Sequence, residues 1–136
     1  VPAFPISPAC AFEWLSFNTY GYGLDFLNPY MIASTKAEIR DRVTERHVLM
    51  LAGEDDDDPE HESLDVTCAA MYQGAHRLER TELYFSHVET FYDPDHHRLQ
   101  TLPGVGHSNS QVLYSPGGRA AVFGPLIGWA PVFEEL

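Results

Sequence analysis

The chain is poor in positive charge: 8 Lys and Arg stand against 20 Asp and Glu, a net charge of −12 over 136 residues. Such an excess repels phosphate backbones and anionic membrane surfaces, so nucleic acid is not an expected partner. Long apolar runs are missing too. The longest stretches, such as 47–53, are strand-sized and far short of the ~20 residues of a transmembrane helix, so no membrane span is expected. Cysteine is scarce, with Cys10 and Cys68 alone and neither in a C-x-x-C pair, which removes support for zinc or thioredoxin-type chemistry. The two cysteines read either as buried thiols or as one disulfide. No internal repeat occurs, and low complexity is confined to the acidic run 54–58. Initiator Met is absent from the start, so Val1 is expected to be a processed end or a boundary inside a longer fold.

What is present suits a soluble globular unit. Hydrophobic residues make up 44 % and charged residues 21 %, an ordinary balance for one domain of this length. Residues 1–34 differ from the remainder. The first 35 residues hold eight of the chain's 17 aromatics and four of its ten prolines, with Glu13 and Asp25 the sole charges. Proline removes backbone donors and pushes its predecessor out of the helical region, so this segment is expected to be irregular. Being aromatic and charge-poor, it is expected to pack against something. Gly21 and Gly23 around Tyr22, and Asn28-Pro29, mark turns.

From Thr35 onward the pattern is clearer. Thr35-Lys36-Ala37-Glu38 fits a capping box, and Ile39 and Val43 share one face of the short helix that follows. The apolar run 47–53, ending in Gly53, predicts a strand buried on both faces, the signature of a parallel sheet. Ser63 or Asp65 is expected to cap a helix carrying Cys68, Met71, Tyr72 and Ala75, interrupted at Gly74. A longer helix is expected over 77–91 with Leu78, Leu83, Tyr84 and Val88 facing inward, and with Glu79 and Glu82 pairing locally with Arg80. Residues 98–102 predict a second strand, and Ser115-Pro116 opens a final helix over 116–123. The tail 125–136 is apolar without a firm assignment. The expected class is α/β: helix, strand, helix pair, strand, helix, with one right-handed βαβ unit.

In open α/β sheets, functional residues gather on loops at the carboxyl ends of the strands. One such loop carries Asp55, Asp56, Asp57 and Asp58; the other carries Gly104, Gly106 and His107. Parallel strands bring both loop tips to one edge, where a carboxylate can hold a histidine. That pairing is the orienting half of a nucleophile–base–acid triad. The competing reading of Asp56 is a solvated acidic loop, and of His107 an ordinary loop histidine. An oxygen-rich loop could also suit Ca²⁺, but the EF-hand spacing is absent, and no metal ligand set is expected. His96 and His97 are expected at the surface, while His47, His61, His76 and His87 show no ligand spacing with one another.

These residues resemble the C-terminal part of an α/β-hydrolase, closest to secreted fungal-type esterases and lipases. The similarity rests on Gly53-x-x-Asp56, on Gly106-His107, and on the stretch 17–24, Phe-Asn-Thr-Tyr-Gly-Tyr-Gly-Leu. Further matches are Leu64-Asp65 before Cys68, then Gln73-Gly74, Arg77 and Glu79-Arg80, the segment 102–107, and Ser115-Pro116 through Phe123-Gly124. The resemblance spans roughly residues 10–124 and is moderately specific as a set. It implies the last two parallel strands of that fold with their covering helices, a partial domain over 1–136. It implies Asp56 as triad acid, with Asp58 as the alternative, and His107 as general base. It further implies a Cys10–Cys68 disulfide, a secreted location, a small ester-like substrate and no cofactor.

Trp14, Tyr20 and Tyr22 are then candidate substrate-binding residues, with packing against the rest of the fold as the competing reading. One departure matters. The family's nucleophile sits in a G-x-S-x-G elbow, and none of the eight serines here is flanked by Gly at −2 and +2. The resemblance therefore implies a second chain or segment that supplies the nucleophile and completes the sheet. The alternative expectation is a non-catalytic hydrolase-like binding or assembly module.

Overall fold

Two six-residue strands, β1 (Val48–Gly53) and β2 (His97–Leu102), pair in parallel, with Val48 opposite His97 and Gly53 opposite Leu102. The structure is a computed structural model and describes residues 10, 17–92 and 97–124. Parallel pairing requires a long crossover. Here the crossover contains a one-turn helix, α2 (Cys68–Met71), and a 16-residue helix, α3 (Arg77–Tyr92). Helix α1 (Lys36–Thr44) precedes β1, while α4 (Asn109–Tyr114) and α5 (Pro116–Phe123) follow β2. Helix α3 packs on both strands and α4 reaches β1. The chain is thus of mixed α/β class with a small parallel sheet, as its sequence pattern predicts.

The buried apolar residues follow from this arrangement: Ala52, Leu102 and Val105 at the carboxyl ends of the strands, Val88 from α3, Ile39 from α1, and Leu64, Ala69 and Ala70 around α2. Strand β1 is not buried on both faces as expected. Its first four residues are half-buried, and burial is complete only at Ala52 and Gly53. The physical reason is the size of the sheet: two strands with α3 across them leave part of the apolar surface uncovered. Leu83 and Tyr84, expected to face inward, are likewise exposed, at 43 % and 48 %. Among the described residues, no helix is long and apolar enough to cross a membrane.

Local chemistry explains the helix boundaries. Glu38 N–H donates to the Thr35 hydroxyl and Thr35 N–H to the Glu38 carboxylate, so the predicted capping box closes at the start of α1. Helix α2 is shorter than expected and is capped by Thr67 instead of Ser63 or Asp65. Asp65 accepts from the Thr67 backbone at 2.8 Å and so holds the capping residue in place. Gly74, at φ +148°, cannot continue the helix. Glu79, whose charge acts on neighbouring Arg80 as expected, also accepts from Ala75 N–H at 2.6 Å, and its own N–H points to His76 Nδ1. The second bond satisfies a donor that the first turn of α3 leaves without a helical partner, and the first holds the backbone just before the helix. Arg80 reaches back to the carbonyls of Gly74 and Asp65, at 2.9 and 2.7 Å. Helix α4 was not expected, although Ser108 accepts from Gln111 N–H as its N-cap.

His97 is the clearest departure from expectation. It is 1 % exposed rather than at the surface. Its Nε2 lies 2.9 Å from the Val43 carbonyl near the end of α1, which also accepts from Arg46 N–H at 3.4 Å. A carbonyl only accepts, so Nε2 carries the proton, and Nδ1 has no hydrogen-bond partner among the described residues. The ring ties α1 to the first residue of β2. His96 lies outside the described residues.

Cys10 and Cys68 form a disulfide across 58 positions. In the chain-entropy account, a closure of this length contributes roughly 4 kcal/mol. The Tyr72 hydroxyl donates to the Cys10 carbonyl at 2.7 Å, and Phe17 meets the Tyr72 ring edge-on. Within the aromatic segment, Tyr20 N–H donates to the Asp25 carbonyl and Asp25 N–H to that of Asn18, around a turn with Gly21 at φ +111°. Asn28 closes the next turn through both its carbonyl and its side chain.

The Tyr22 hydroxyl donates to the Asp65 carboxylate and fastens this segment to the cap of α2. That bond, then those from the Thr67 backbone and hydroxyl, hold the Asp65 carboxyl below its ordinary value. A carboxylate depressed in the folded state stabilises above its unfolded value and loses that contribution as pH falls through the folded one. Asp65→Asn is therefore expected to lower Tm by a few degrees at pH 7. The gap to the wild type should close on acidification below about pH 4, as thermal melts across pH would show.

Candidate functional site

The loops leaving β1 and β2 run side by side. Glu54 N–H donates to the Leu102 carbonyl at 3.0 Å, and Asp55 N–H to the Val105 carbonyl at 2.9 Å. These bonds carry the ladder two residues past the strand. They need Gly53, because a Cβ there would stand 2.1 Å from the Val105 carbonyl oxygen. The Gly at the end of β1 therefore has a packing reason: it lets the two loops touch.

Beyond Gly53 the chain turns, with Asp56 N–H donating to the Gly53 carbonyl at 3.3 Å. The Asp56 carbonyl then accepts from Leu78 N–H at 3.1 Å, a donor that the first turn of α3 leaves open. Asp56 is half-buried as a result, whereas Glu54, Asp55, Asp57 and Asp58 are exposed. On the other loop, Gly104 takes φ +68° and Val105 is buried. Gly106 N–H donates to Gln111 Oε1, and Ser108 N–H returns to the Gly106 carbonyl at 2.8 Å. His107 sits at the tip of this tight turn, just before the cap of α4.

His107 Nδ1 lies 3.0 Å from Asp56 Oδ2, so the two loop residues singled out from the sequence meet. A carboxylate only accepts, so this bond requires the proton on Nδ1 and leaves the Nε2 lone pair free in the neutral ring. The His107 side chain is 48 % exposed and that of Asp56 only 16 %. The histidine faces outward from a carboxylate seated beneath it. Asp58, the alternative acid, is exposed and accepts from Glu60 N–H at 2.8 Å, two residues along its own loop.

Three neighbours were not anticipated in this role. Arg77 Nη1 lies 3.4 Å from Asp56 Oδ1, and Nη2 donates to Ser63 Oγ at 3.0 Å. The His61 ring stands edge-on to His107, with centroids 5.7 Å apart. The available signal was position: Arg77 opens α3, whose first turn must face the loop after β1. Nothing in the spacing of His61 or Ser63 pointed to the site.

Tyr20 and Tyr22 lie elsewhere. Both line an open cleft of about 950 Å³ between the aromatic segment, α1 and α3, whose lining includes neither Asp56 nor His107. Tyr20 accepts from Asn28 Nδ2 at 3.0 Å, and Tyr22 is occupied by Asp65. The structure thus does not bring these tyrosines to the Asp56–His107 pair, and Trp14 is outside the described residues. Among the described residues, no group of three or more His, Cys, Asp or Glu side chains is gathered as a metal ion would need.

No family model matches the chain, and no curated protein or solved structure matches it. The fold defines an α/β chain, and the site defines a carboxylate–histidine couple at the carboxyl edge of its parallel strands. If Gly53 is what lets the loops touch, Gly53→Ala should cost about 1–3 kcal/mol by overpacking. Urea unfolding should register the cost, and the variant should lose the Asp56–His107 contact in His-selective NMR spectra.

Proposed function

We propose that this chain is the acid–base portion of an esterase- or lipase-like serine hydrolase of the α/β-hydrolase fold. The observation that carries the reading is the 3.0 Å bond from His107 Nδ1 to Asp56 Oδ2. It leaves Nε2 as the proton acceptor at an exposed edge. Asp56 holds the tautomer and stabilises the imidazolium that forms. His107 takes the proton of a serine hydroxyl as that oxygen attacks an ester carbonyl, then returns it to the departing alcohol. Water repeats the sequence on the acyl-enzyme and releases the acid.

The serine and the oxyanion donors come from a second chain or segment, because no elbow serine is present among the eight. Half-buried β1 and exposed Leu83 and Tyr84 support a larger sheet assembly, since apolar strand faces and open edges call for neighbours. The Cys10–Cys68 disulfide supports an oxidising, secreted setting. The net charge of −12 argues against nucleic acid as a partner.

A second reading, a non-catalytic binding module, is favoured by one observation: the aromatic-lined cleft lies apart from the couple. A fluorophosphonate probe on the assembled protein separates the two. The hydrolase reading expects a labelled serine outside this chain, with labelling reduced to background by His107→Ala and strongly slowed by Asp56→Asn. Unchanged labelling in His107→Ala would remove the proton relay, and absence of any labelled serine would favour the binding module.

A further inference from the structure

The Asp56–His107 bond occupies one carboxylate oxygen, and the disposition of the other points to a further residue. Asp56 Oδ1 faces Arg77 Nη1 at 3.4 Å, while Nη2 of the same guanidinium donates to Ser63 Oγ at 3.0 Å. Ser63 in turn meets His61: its N–H and hydroxyl lie 3.2 and 3.1 Å from His61 Nδ1. The His61 ring stands edge-on to His107. The circuit His107–Asp56–Arg77–Ser63–His61 is therefore closed, with Arg77, from α3, joining two points of the β1–α2 connection.

We propose that Arg77 is the positioning residue of the couple: its planar fork holds Asp56 Oδ1 and Ser63 together, so that Oδ2 is presented to His107. This rests on the reading of Asp56 and His107 as a proton relay. The physical need is visible in the sequence of the loop. Five adjacent carboxylates repel one another and favour turning outward to water, as four of them do. Asp56 alone is drawn inward, and the Arg77 side chain beside it is 19 % exposed, so solvent screens this pair less than it would a surface pair. The helix that carries Arg77 also grips the Asp56 carbonyl through Leu78 N–H, so α3 fixes both backbone and side chain of the acid. A lysine supplies the charge but not two donors in a rigid plane, and cannot reproduce the double hold.

The test reads geometry directly. In the full chain, isotopically labelled at histidine, a downfield Nδ1–H proton of His107 is expected in the wild type and lost in Asp56→Asn. Arg77→Met and Arg77→Lys are both expected to lose that resonance while the backbone amide spectrum stays folded. Loss in both, including the charge-retaining lysine, separates positioning from a bulk charge effect. Persistence in either variant, or no such resonance in the wild type, overturns the proposal. If both Arg77 variants unfold, Ser63→Ala decides: a weakened resonance supports the tether, an unchanged one overturns it. Failure of serine labelling in an assembly that keeps this resonance pattern would remove the relay and leave the hold of Arg77 on Asp56 standing, so the two failures are distinguishable.

Discussion

The close passage of the two loops that leave the parallel strands is the constraint on which the rest of the site depends. Backbone bonds from Glu54 and Asp55 to Leu102 and Val105 extend the ladder beyond the sheet. They form because Gly53 offers no Cβ to the Val105 carbonyl. Once the loops touch, the turn after Gly53 delivers the Asp56 carbonyl to the open first turn of α3. The tight turn around His107 then presents an imidazole to the carboxylate. A side-chain bond of 3.0 Å across 51 residues of sequence is thus prepared almost entirely by main-chain geometry.

Helix α3 is the element that links architecture to chemistry. Its middle covers both strands, with Val88 in the core, while its first turn meets the acidic loop through Leu78 and Arg77. His76 and Glu79 satisfy donors at the same end. On the far side, the disulfide, the Tyr72 hydroxyl and the Tyr22–Asp65 bond fasten the aromatic segment to α2. That fastening forms the wall of the open cleft, a feature separate from the Asp56–His107 couple.

Much of this was legible from residue order because it rests on short-range rules. The capping box at Thr35, the strand ending at Gly53, and the Ser115-Pro116 start of α5 each follow from chemistry within one turn of chain. Helix α4 rests on the same kind of rule, with Ser108 accepting from Gln111 N–H, although no helix is expected there from the pattern. The cap of α2 falls on Thr67, not on Ser63 or Asp65, because Asp65 accepts from the Thr67 backbone and supports the cap without replacing it. The meeting of Asp56 and His107 was foreseeable because parallel pairing puts both carboxyl-end loops on one edge, whatever the rest of the fold does.

What local pattern left open depended on distant partners. His97 looks like a surface residue beside another histidine, yet the Val43 carbonyl near the end of α1 gives its ring a buried partner. Leu83 and Tyr84 have helix-face spacing for a core, but a two-strand sheet is too narrow to cover them. The acidic run names five candidate carboxylates without ranking them by contact, and the approach of α3 draws in Asp56 alone. Residue order determined most of the elements, the edge, and the meeting of an acidic loop with a histidine loop, because hydrogen-bonding rules and side-chain period act within a few residues. The choice of Asp56 over Asp58, the recruitment of Arg77, and the separation of Tyr20 and Tyr22 from the couple were decided only by packing. Such packing depends on which open donors and carbonyls come within about 3 Å of one another once the chain has closed.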